Sequence, residues 1–281
     1  VIRPLKDGVI ADFDATTKML SYFIRVVHSS PRNIIPKIPK PRIVVGIPSG
    51  VTPVERRAVA DAALSAGARE VMLIEEPLAA AIGANLPITS SVGSMIVDIG
   101  AGTTEIAVIS LGGIVLGRSL RIAGDKLDQA IINYCRLKYS LVLGEATGEN
   151  LKIELGSAFP QPKETVSVVR GRDLESGLPR SLRISDFEVR EALLPIVQGI
   201  AVKSQEVIEE TPPELVGDLM ENGIILTGGG SLLSGVDKLF AEVTKLPIVV
   251  ASDPLTTVVL GCSRILEDSL LAKRVRVTGR I

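Results

Sequence analysis

The most constraining segment of this chain is Ser94–Glu105, which reads S-M-I-V-D-I-G-A-G-T-T-E. Its apolar run, broken only by Asp98, predicts a strand that is covered on both faces. An unpaired carboxylate in such a strand is costly. Asp98 therefore needs compensation, for which a hydrated divalent cation is a good candidate.

The residues after Asp98 suit a phosphate group. Gly100 and Gly102 let phosphate oxygens approach main-chain N–H groups, and Thr103 and Thr104 add hydroxyl donors. The segment therefore predicts a phosphate-binding hairpin. The alternative is an ordinary hairpin in which the aspartate caps the turn.

A second glycine cluster strengthens the phosphate interpretation. Gly223–Gly235 again runs an apolar strand into glycines, here Gly228, Gly229 and Gly230, before the amphipathic segment Leu232–Val243. Three consecutive glycines indicate backbone close to a ligand, and a following helix N-terminus suits an anion. Neither loop has the spacing of a Walker A motif or of the dinucleotide fingerprint G-x-G-x-x-G.

Composition bounds the protein class. A chain of 281 residues exceeds what one core usually supports, so two domains are expected. The net charge of −1 argues against a general nucleic-acid-binding protein. Cys135 and Cys262 lie far apart and His28 is the one histidine, which argues against a zinc site and against a disulfide scaffold. No apolar run of about eighteen residues predicts a membrane-spanning helix.

Strands and helices alternate along the chain, which predicts an α/β architecture. Thr52 and Glu55 form a capping-box pattern with proline at the first helical position. The polar region from about 156 to 217 differs in character and is interpreted as an inserted subdomain with a hairpin near Ser176. The predicted helices are Asp7–Val27, Pro53–Gly67, Pro77–Gly83, Asp125–Tyr139, one within Gly144–Gly156, one opened by Ser185, and Pro254–Ser269. The predicted strands are Arg42–Ile47, Glu70–Ile74, Ser94–Ile99, Thr103–Leu111, Ile114–Ile122, Ile224–Thr227 and Pro247–Val250.

These loops, with further motifs, resemble the actin-like ATPases, and among them the MreB-like bacterial actins. The supporting motifs are I-E-E-P-L-A-A-A-I-G at Ile74–Gly83, R-I-A-G-D at Arg121–Asp125 and T-P-P-E-L at Thr211–Leu215. The resemblance implies an actin-like fold, in which two RNase H-like domains, each with a smaller subdomain, flank a nucleotide cleft.

The resemblance also implies a domain division. We expect residues 1–112 with 262–281 to form the first domain, 113–155 with 218–261 the second, and 156–217 an inserted small subdomain. The family's first phosphate hairpin, D-x-G-T-x-N-like, does not precede Val1. We therefore expect the first strands of the N-terminal domain to be missing and residues 1–5 to be the remnant of its small subdomain.

The resemblance assigns roles to particular residues. Glu76 would orient the attacking water, Asp98 would hold Mg²⁺ through water, and Thr103 or Thr104 would bind phosphate or the catalytic water. Gly124 and Asp125 would approach ribose and phosphates. Glu149 and Lys152 would bracket the adenosine, with the loop Thr227–Gly230 beside it. The implied cofactors are ATP and Mg²⁺, although hydrolysis by an incomplete chain stays open.

Two of these assignments have alternatives in the residues themselves. Glu76 is also suited to cap the following helix electrostatically. Glu149 and Lys152, three residues apart on one helical face, are equally suited to form a solvated ion pair.

The segment Ser29–Arg42 carries a second prediction. Its four prolines disfavour regular structure, and Ile34, Ile35 and Ile38 lie among cationic side chains. Apolar tips ringed by cations fit insertion at an anionic bilayer surface, and MreB-like proteins place a membrane-contacting loop here. The alternative is a loop whose isoleucines pack against the domain.

The sequence therefore predicts an actin-like ATP-binding protein that polymerises into filaments under the cytoplasmic membrane and organises cell-wall synthesis and rod shape. The expected partners are further copies of the chain, the inner membrane surface and proteins of cell-wall synthesis and morphogenesis, with no nucleic acid. The competing interpretations are a small-metabolite kinase and a chaperone-type ATPase on the same fold.

Overall fold

The computed structural model describes residues 2–28, 40–275 and 278–280. It confirms the predicted alternation of helices and strands. The helices are α1 Phe13–His28, α2 Pro53–Ser65, α3 Glu76–Gly83, α4 Gly124–Tyr139, α5 Glu145–Leu155, α6 Asp186–Glu210, α7 Pro213–Asn222, α8 Val236–Thr244, α9 Thr257–Glu267 and α10 Ser269–Arg274, with a 3₁₀ turn at Gly229–Leu232. The strands are β1 Leu5–Lys6, β2 Val9–Ile10, β3 Arg42–Ile47, β4 Glu70–Glu75, β5 Ser94–Ile99, β6 Thr104–Ser110, β7 Gly113–Leu120, β8 Leu141–Val142, β9 Val166–Asp173, β10 Pro179–Ser185, β11 Ile224–Thr227, β12 Ile248–Val250 and β13 Thr278–Arg280.

A five-stranded sheet in the order β12-β11-β5-β6-β7 forms the larger layer. Strands β5, β11 and β12 run parallel, whereas β5, β6 and β7 form an antiparallel meander. Every residue of β5 and β6 is buried, as the continuous apolar pattern predicts for strands covered on both faces.

A second sheet has the order β13-β4-β3, with β3 and β4 parallel. Helix α2 packs on this sheet through Ala60 and Ala63. Its N-terminus has the predicted capping box, in which the Thr52 hydroxyl accepts from the Glu55 N–H and the Glu55 carboxylate accepts from the Thr52 N–H.

Helices α3 and α9 lie between the two sheets and share one apolar cluster with β4, β5 and β6. They cross closely at Gly83 and Gly261. A β-carbon at Gly83 would lie 1.8 Å from the Thr257 carbonyl oxygen, and one at Gly261 would lie 1.8 Å from that of Ala79. Both positions therefore require glycine.

The predicted helix Asp7–Val27 is wrong at its start. Residues 5–10 form an antiparallel hairpin, β1–β2, and the helix begins only at Phe13. Asp7 and Gly8 make the turn with φ of 50° and 76°, conformations that an Asp-Gly pair favours in two-residue hairpins. Asp12 then accepts the N–H of Ala15 and so caps the helix.

The region 156–217 contains the predicted hairpin, β9–β10, which β8 extends to a three-stranded sheet. Helix α6 opens with the predicted cap, as Ser185 and Glu188 exchange hydrogen bonds. Its Val189, Leu193 and Val197 belong to the same core as β5 and β6. The helix therefore packs on the large sheet rather than within a separate unit.

The predicted domain boundary at 112/113 falls between β6 and β7, two neighbouring strands of the five-stranded sheet. A boundary there would divide a single sheet. We propose instead that the second domain begins at Ser94, with β5, and includes α6, so that the inserted subdomain is smaller than the predicted 156–217.

Candidate functional site

Sheet register brings the two glycine loops together. Strands β5 and β11 are parallel neighbours, and Asp98 is paired with Thr227 at their carboxyl ends. Gly100 follows Asp98 after one residue and Gly228 follows Thr227 directly, so both loops leave the sheet at the same edge. Such an edge is the usual ligand position in open α/β sheets.

A cavity of about 350 Å³ opens at this edge. Eight of the predicted site residues line it: Glu76, Asp98, Gly100, Gly102, Thr103, Asp125, Gly228 and Gly229. The other lining residues are Leu5, Lys6, Asp7, Gly8, Ala101, Pro254, Leu255 and Val258. The structure therefore brings together most of the predicted site, from segments far apart in the chain.

The first loop is a tight hairpin in which the Gly100 N–H donates to the Thr103 carbonyl at 2.9 Å. Thr103 lines the cavity, but Thr104 does not: it is fully buried, and its hydroxyl donates to the Ile122 carbonyl at 2.7 Å. Of the two threonines, Thr103 is therefore the one placed to meet a ligand.

Position 102 has little room for a side chain because backbone from another segment lies against it. A β-carbon there would lie 3.0 Å from the Gly8 nitrogen and 3.1 Å from the Asp7 Cα. The β1–β2 hairpin thus presses directly on the first loop. Sequence reasoning missed this hairpin as part of the site, although the Asp-Gly pair was a signal for a turn.

In the second loop Gly228 has a φ of 78°. A β-carbon there would lie 2.4 Å from both Asp98 Oδ1 and the Ile99 carbonyl oxygen. Gly230, which does not line the cavity, packs on Ile99 with 2.2 Å between its notional β-carbon and Ile99 Cγ2. The second loop is therefore wedged against the end of β5. Pro254, Leu255 and Val258 also line the cavity, but they were not predicted from the sequence as site residues.

Helix α4 begins on the first loop. The N–H groups of Gly124 and Asp125 donate to the carbonyls of Gly100 and Ala101 at 3.1 and 2.8 Å. Asp125 lines the cavity, while Gly124 lies behind the loop without lining it. These two bonds fix the helix N-terminus relative to the phosphate hairpin.

Neither Glu149 nor Lys152 lines the cavity. Lys152 Nζ lies 2.8 Å from Asp128 Oδ1 and donates to the Gly124 carbonyl at 3.4 Å. Glu149 is exposed. The alternative ion pair between Glu149 and Lys152 is therefore not the one formed, because the lysine bridges α5 to α4.

The electrostatics of the cavity are acidic. Burial, with a smaller contribution from the charges of Asp98 and Glu105, raises the pKa of Glu76 to about 8. Burial and the charge of Glu105 raise the pKa of Asp98 to about 7. Within the described residues no lysine or arginine forms a salt bridge with any of the three. A cation at this position would therefore be strongly favoured.

The residues fit Mg²⁺ held mainly through water. No cluster of three or more potential protein ligands occurs in the described part of the chain. Asp98 is 7% exposed, lines the cavity and has no hydrogen-bond donor among the described residues. One carboxylate, waters and phosphate oxygens are the usual ligands of Mg²⁺ in nucleotide sites.

The predicted membrane residues Ile34, Ile35 and Ile38 lie outside the described residues. Among the helices that the structure describes, none combines the length and hydropathy needed to cross a bilayer.

The family model for the MreB/Mbl protein matches residues 1–274. The chain belongs to this family. The cell shape-determining protein MreB of Escherichia coli is 53% identical over 266 residues, which cover 95% of this chain and 76% of that relative. The cell shape-determining protein Mbl of Bacillus subtilis is 45% identical over 267 residues, covering 95% of this chain and 79% of that protein.

Solved structures agree with this assignment. MreB5 of Spiroplasma citri bound to ADP superposes with a TM-score of 0.88 at 38% identity, covering 97% of this chain and 80% of MreB5. The MamK double helical filament has a TM-score of 0.75 at 21% identity over 94% of this chain and 80% of MamK, which shows the shared fold alone. The predicted actin-like fold, the predicted membership of the bacterial actins and the associated cytoskeletal role in cell shape are confirmed.

Proposed function

We propose that this chain binds ATP with Mg²⁺ in the cavity at the carboxyl ends of β5 and β11, and that nucleotide binding drives its copies to assemble into filaments that set cell shape. The observation that carries the proposal is the convergence of two glycine loops on a buried carboxylate, Asp98, to which no group in the described part of the chain donates a hydrogen bond. MreB5 of Spiroplasma citri, crystallised with ADP and with AMPPNP, supports the choice of nucleotide.

The residues that line the cavity have different roles in the proposed nucleotide binding. The main chain of Gly100–Thr103 receives phosphate oxygens, and the Thr103 hydroxyl is the nearby side-chain donor. Asp98 holds the water shell of the cation, whose charge would neutralise the phosphates when it is bound. Asp125 and Gly228–Gly229 face the remainder of the nucleotide.

Glu76 is the residue that we propose to orient the attacking water. It follows β4 directly and lines the cavity. A carboxylate held beside the terminal phosphate contributes chiefly by positioning the water in line. Because its pKa is raised to about 8, we expect hydrolysis to increase between pH 6 and about 9 as Glu76 ionises. A rate independent of pH across this range would exclude Glu76 as the ionising group.

Asp98→Asn is the direct test of the site. The change keeps the shape of the side chain and removes the charge that holds the cation. We expect at least a tenfold loss of Mg-ATP affinity, measured with a fluorescent nucleotide, and loss of nucleotide-dependent sedimentation. Asp237→Asn, in the first turn of α8 and outside the cavity, is the matched control. ATP turnover that appears only with a small acceptor or with added peptide would instead support the kinase or the chaperone interpretation.

The filament is further proposed to lie at the inner face of the cytoplasmic membrane and to engage proteins of cell-wall synthesis. This part rests on the cationic, isoleucine-bearing segment 29–42 of the sequence. Weak binding by each loop would become avid in a filament through effective concentration.

Vesicle sedimentation tests the membrane proposal. Changing Ile34 and Ile35 to Ser is expected to abolish filament binding to anionic vesicles without affecting polymerisation. Ile153→Ser, at an isoleucine that is 74% exposed on α5, controls for loss of surface hydrophobicity. Equal vesicle binding by all variants would contradict the proposal.

A further inference from the structure

Glu105 is a buried carboxylate for which the proposed nucleotide chemistry has no role. It lies on β6 and is 1% exposed. It is paired across the sheet with Asp98, so two acidic side chains face each other on one side of the sheet, an arrangement that is normally unfavourable. Something specific must therefore hold Glu105 in place.

Two donors from different parts of the fold hold it. The Ser119 hydroxyl on β7 donates to Glu105 Oε1 at 2.5 Å, and the Ser49 N–H donates to Glu105 Oε2 at 3.1 Å. Burial raises the pKa of Glu105, and the hydrogen bonds from Ser119 and Ser49 oppose that rise. Its facing charged groups are acidic: Glu75, Glu76 and Asp98. Within the ranges that the structure describes, hydrogen bonds rather than an ion pair compensate this carboxylate.

One donor lies in a sheet and the other in the connection that follows a strand of a different sheet. Ser119 is part of the five-stranded sheet, whereas Ser49 follows the last residue of β3, Ile47, in the other sheet and leads into α2. The segment is tightly seated, since a β-carbon at Gly50 would lie 3.1 Å from Ser119 Cβ. Glu105 therefore links the five-stranded sheet to the segment that follows β3, at the position directly after the buried Thr104.

We propose that Glu105 is a positioning residue: by tying the segment Pro48–Val51 to β7, it sets how closely the two sheets approach around the bound nucleotide. The two acids thereby have separate tasks. Glu105 is satisfied by the protein and holds the sheets, while Asp98 is left open to the cation. This inference rests on the proposed nucleotide site.

Replacing Glu105 by Gln and by Ala separates bridging from charge. Both changes remove the negative charge beside Asp98. Gln retains the bridge, because its carbonyl accepts from the Ser49 N–H and its amide donates to the Ser119 hydroxyl. Ala retains neither bond. We expect Glu105→Ala to release a fluorescent ADP at least ten times faster than the unchanged protein, and Glu105→Gln to release it within about twofold of the original rate.

Hydrogen exchange of the Ser49 amide tests the bridge in the absence of nucleotide. The Ser49 amide should exchange faster in Glu105→Ala and keep its protection in Glu105→Gln. Ser119→Ala, which removes one donor at a half-buried position, serves if Glu105→Ala does not fold, and is expected to accelerate both exchange and ADP release. Ser110→Ala is its matched control, as this buried serine lies at the far end of β6 and donates to the Ser91 carbonyl.

The outcomes are distinct. Equal behaviour of Glu105→Gln and Glu105→Ala would overturn the proposal, because the bridge that only Gln retains would then make no difference. Unchanged Ser49 exchange in Ser119→Ala and Glu105→Ala would overturn it as well. If the unchanged protein binds no nucleotide but the exchange pattern appears, the proposed function fails while the bridge stands.

Discussion

The two glycine loops of the cavity look alike in sequence but are built differently. Each follows a buried strand, and each is flanked by a fully buried threonine whose hydroxyl donates to a carbonyl, Thr104 to Ile122 and Thr227 to Pro254. In the second loop Gly228 has a left-handed φ of 78°, whereas the φ of Gly102 lies outside that region.

The reason for glycine therefore differs between the loops. Gly228 is required by its own backbone conformation and by the end of β5 beneath it. In the structure, the contact that requires glycine at position 102 comes from the distant Asp7–Gly8 turn. One loop is fixed by its own sheet, while the other depends on a contact from the start of the chain.

Among the variants that test this difference between the loops, Gly228→Ala is expected to lower the free energy of unfolding the most. The new β-carbon would meet Asp98 Oδ1 and the Ile99 carbonyl at 2.4 Å, in a left-handed conformation that disfavours alanine. Together, strain and overlap should reduce the free energy of unfolding by about 3–5 kcal/mol. Denaturant titration measures the loss.

Gly199→Ala provides the control for that change. Gly199 lies in α6, where an added β-carbon meets nothing within 4 Å. Alanine there should stabilise the protein by about 0.5–1 kcal/mol, because glycine weakens helix interiors. If Gly228→Ala were as stable as Gly199→Ala, the wedge between the second loop and β5 would not exist.

The next largest effect on stability is expected at Glu76, the buried carboxyl that lines the cavity. The pKa of Glu76 is raised by burial from the ordinary 4.5 to about 8. In the unfolded chain this carboxyl ionises at lower pH, so the fold loses stability as pH rises between those values. Glu76→Gln cannot ionise and should therefore exceed the unchanged protein in stability by about 1–3 kcal/mol at pH 9, with no difference at pH 4.

Thermal unfolding in the presence of a metal chelator, at pH 4 and at pH 9, measures the stability difference between Glu76→Gln and the unchanged protein. Glu149→Gln, at an exposed position outside the cavity, controls for loss of a surface charge. A Glu76→Gln protein that gains stability equally at both pH values would show that packing, rather than ionisation, is responsible.

Local signals were enough to predict most of the elements. The continuous apolar runs identified β5 and β6, and the capping boxes at Thr52 and Ser185 gave the starts of α2 and α6. The β1–β2 hairpin was missed because the apolar spacing of α1 was extended back across Asp7, although the Asp-Gly pair signalled a turn.

The remaining site contacts could not be read locally. That Gly102 supports the β1–β2 hairpin, or that Thr104 turns its hydroxyl to Ile122, follows from packing between segments rather than from any motif. The predicted boundary at 112/113 would divide two neighbouring strands of one sheet, and we therefore propose Ser94 in its place.

Gly102→Ala tests the dependence of the first loop on the hairpin. Its β-carbon would lie 3.0–3.2 Å from the Asp7 and Gly8 backbone, so the hairpin must move by a few tenths of an ångström. We expect a loss of about 1–2 kcal/mol and faster hydrogen exchange across the β1–β2 pair. In the control Gly100→Ala the nearest atom is the Thr103 carbonyl oxygen at 3.1 Å, within the loop itself, so hairpin exchange should be unaffected.

The smallest expected effect is the difference in stability loss between substitutions at Thr104 and at Thr227. Replacing each by Val keeps the shape and removes one hydroxyl donor. The Pro254 carbonyl, which accepts from Thr227 at 3.2 Å, still receives the Gly228 N–H at 3.0 Å. The Ile122 carbonyl accepts from Thr104 at the shorter distance of 2.7 Å. We therefore expect Thr104→Val to cost about 1–2 kcal/mol and Thr227→Val less than about 1 kcal/mol. Paired denaturant titrations measure both, and the reverse order would mean that the second loop, not the first, relies on its threonine for anchoring.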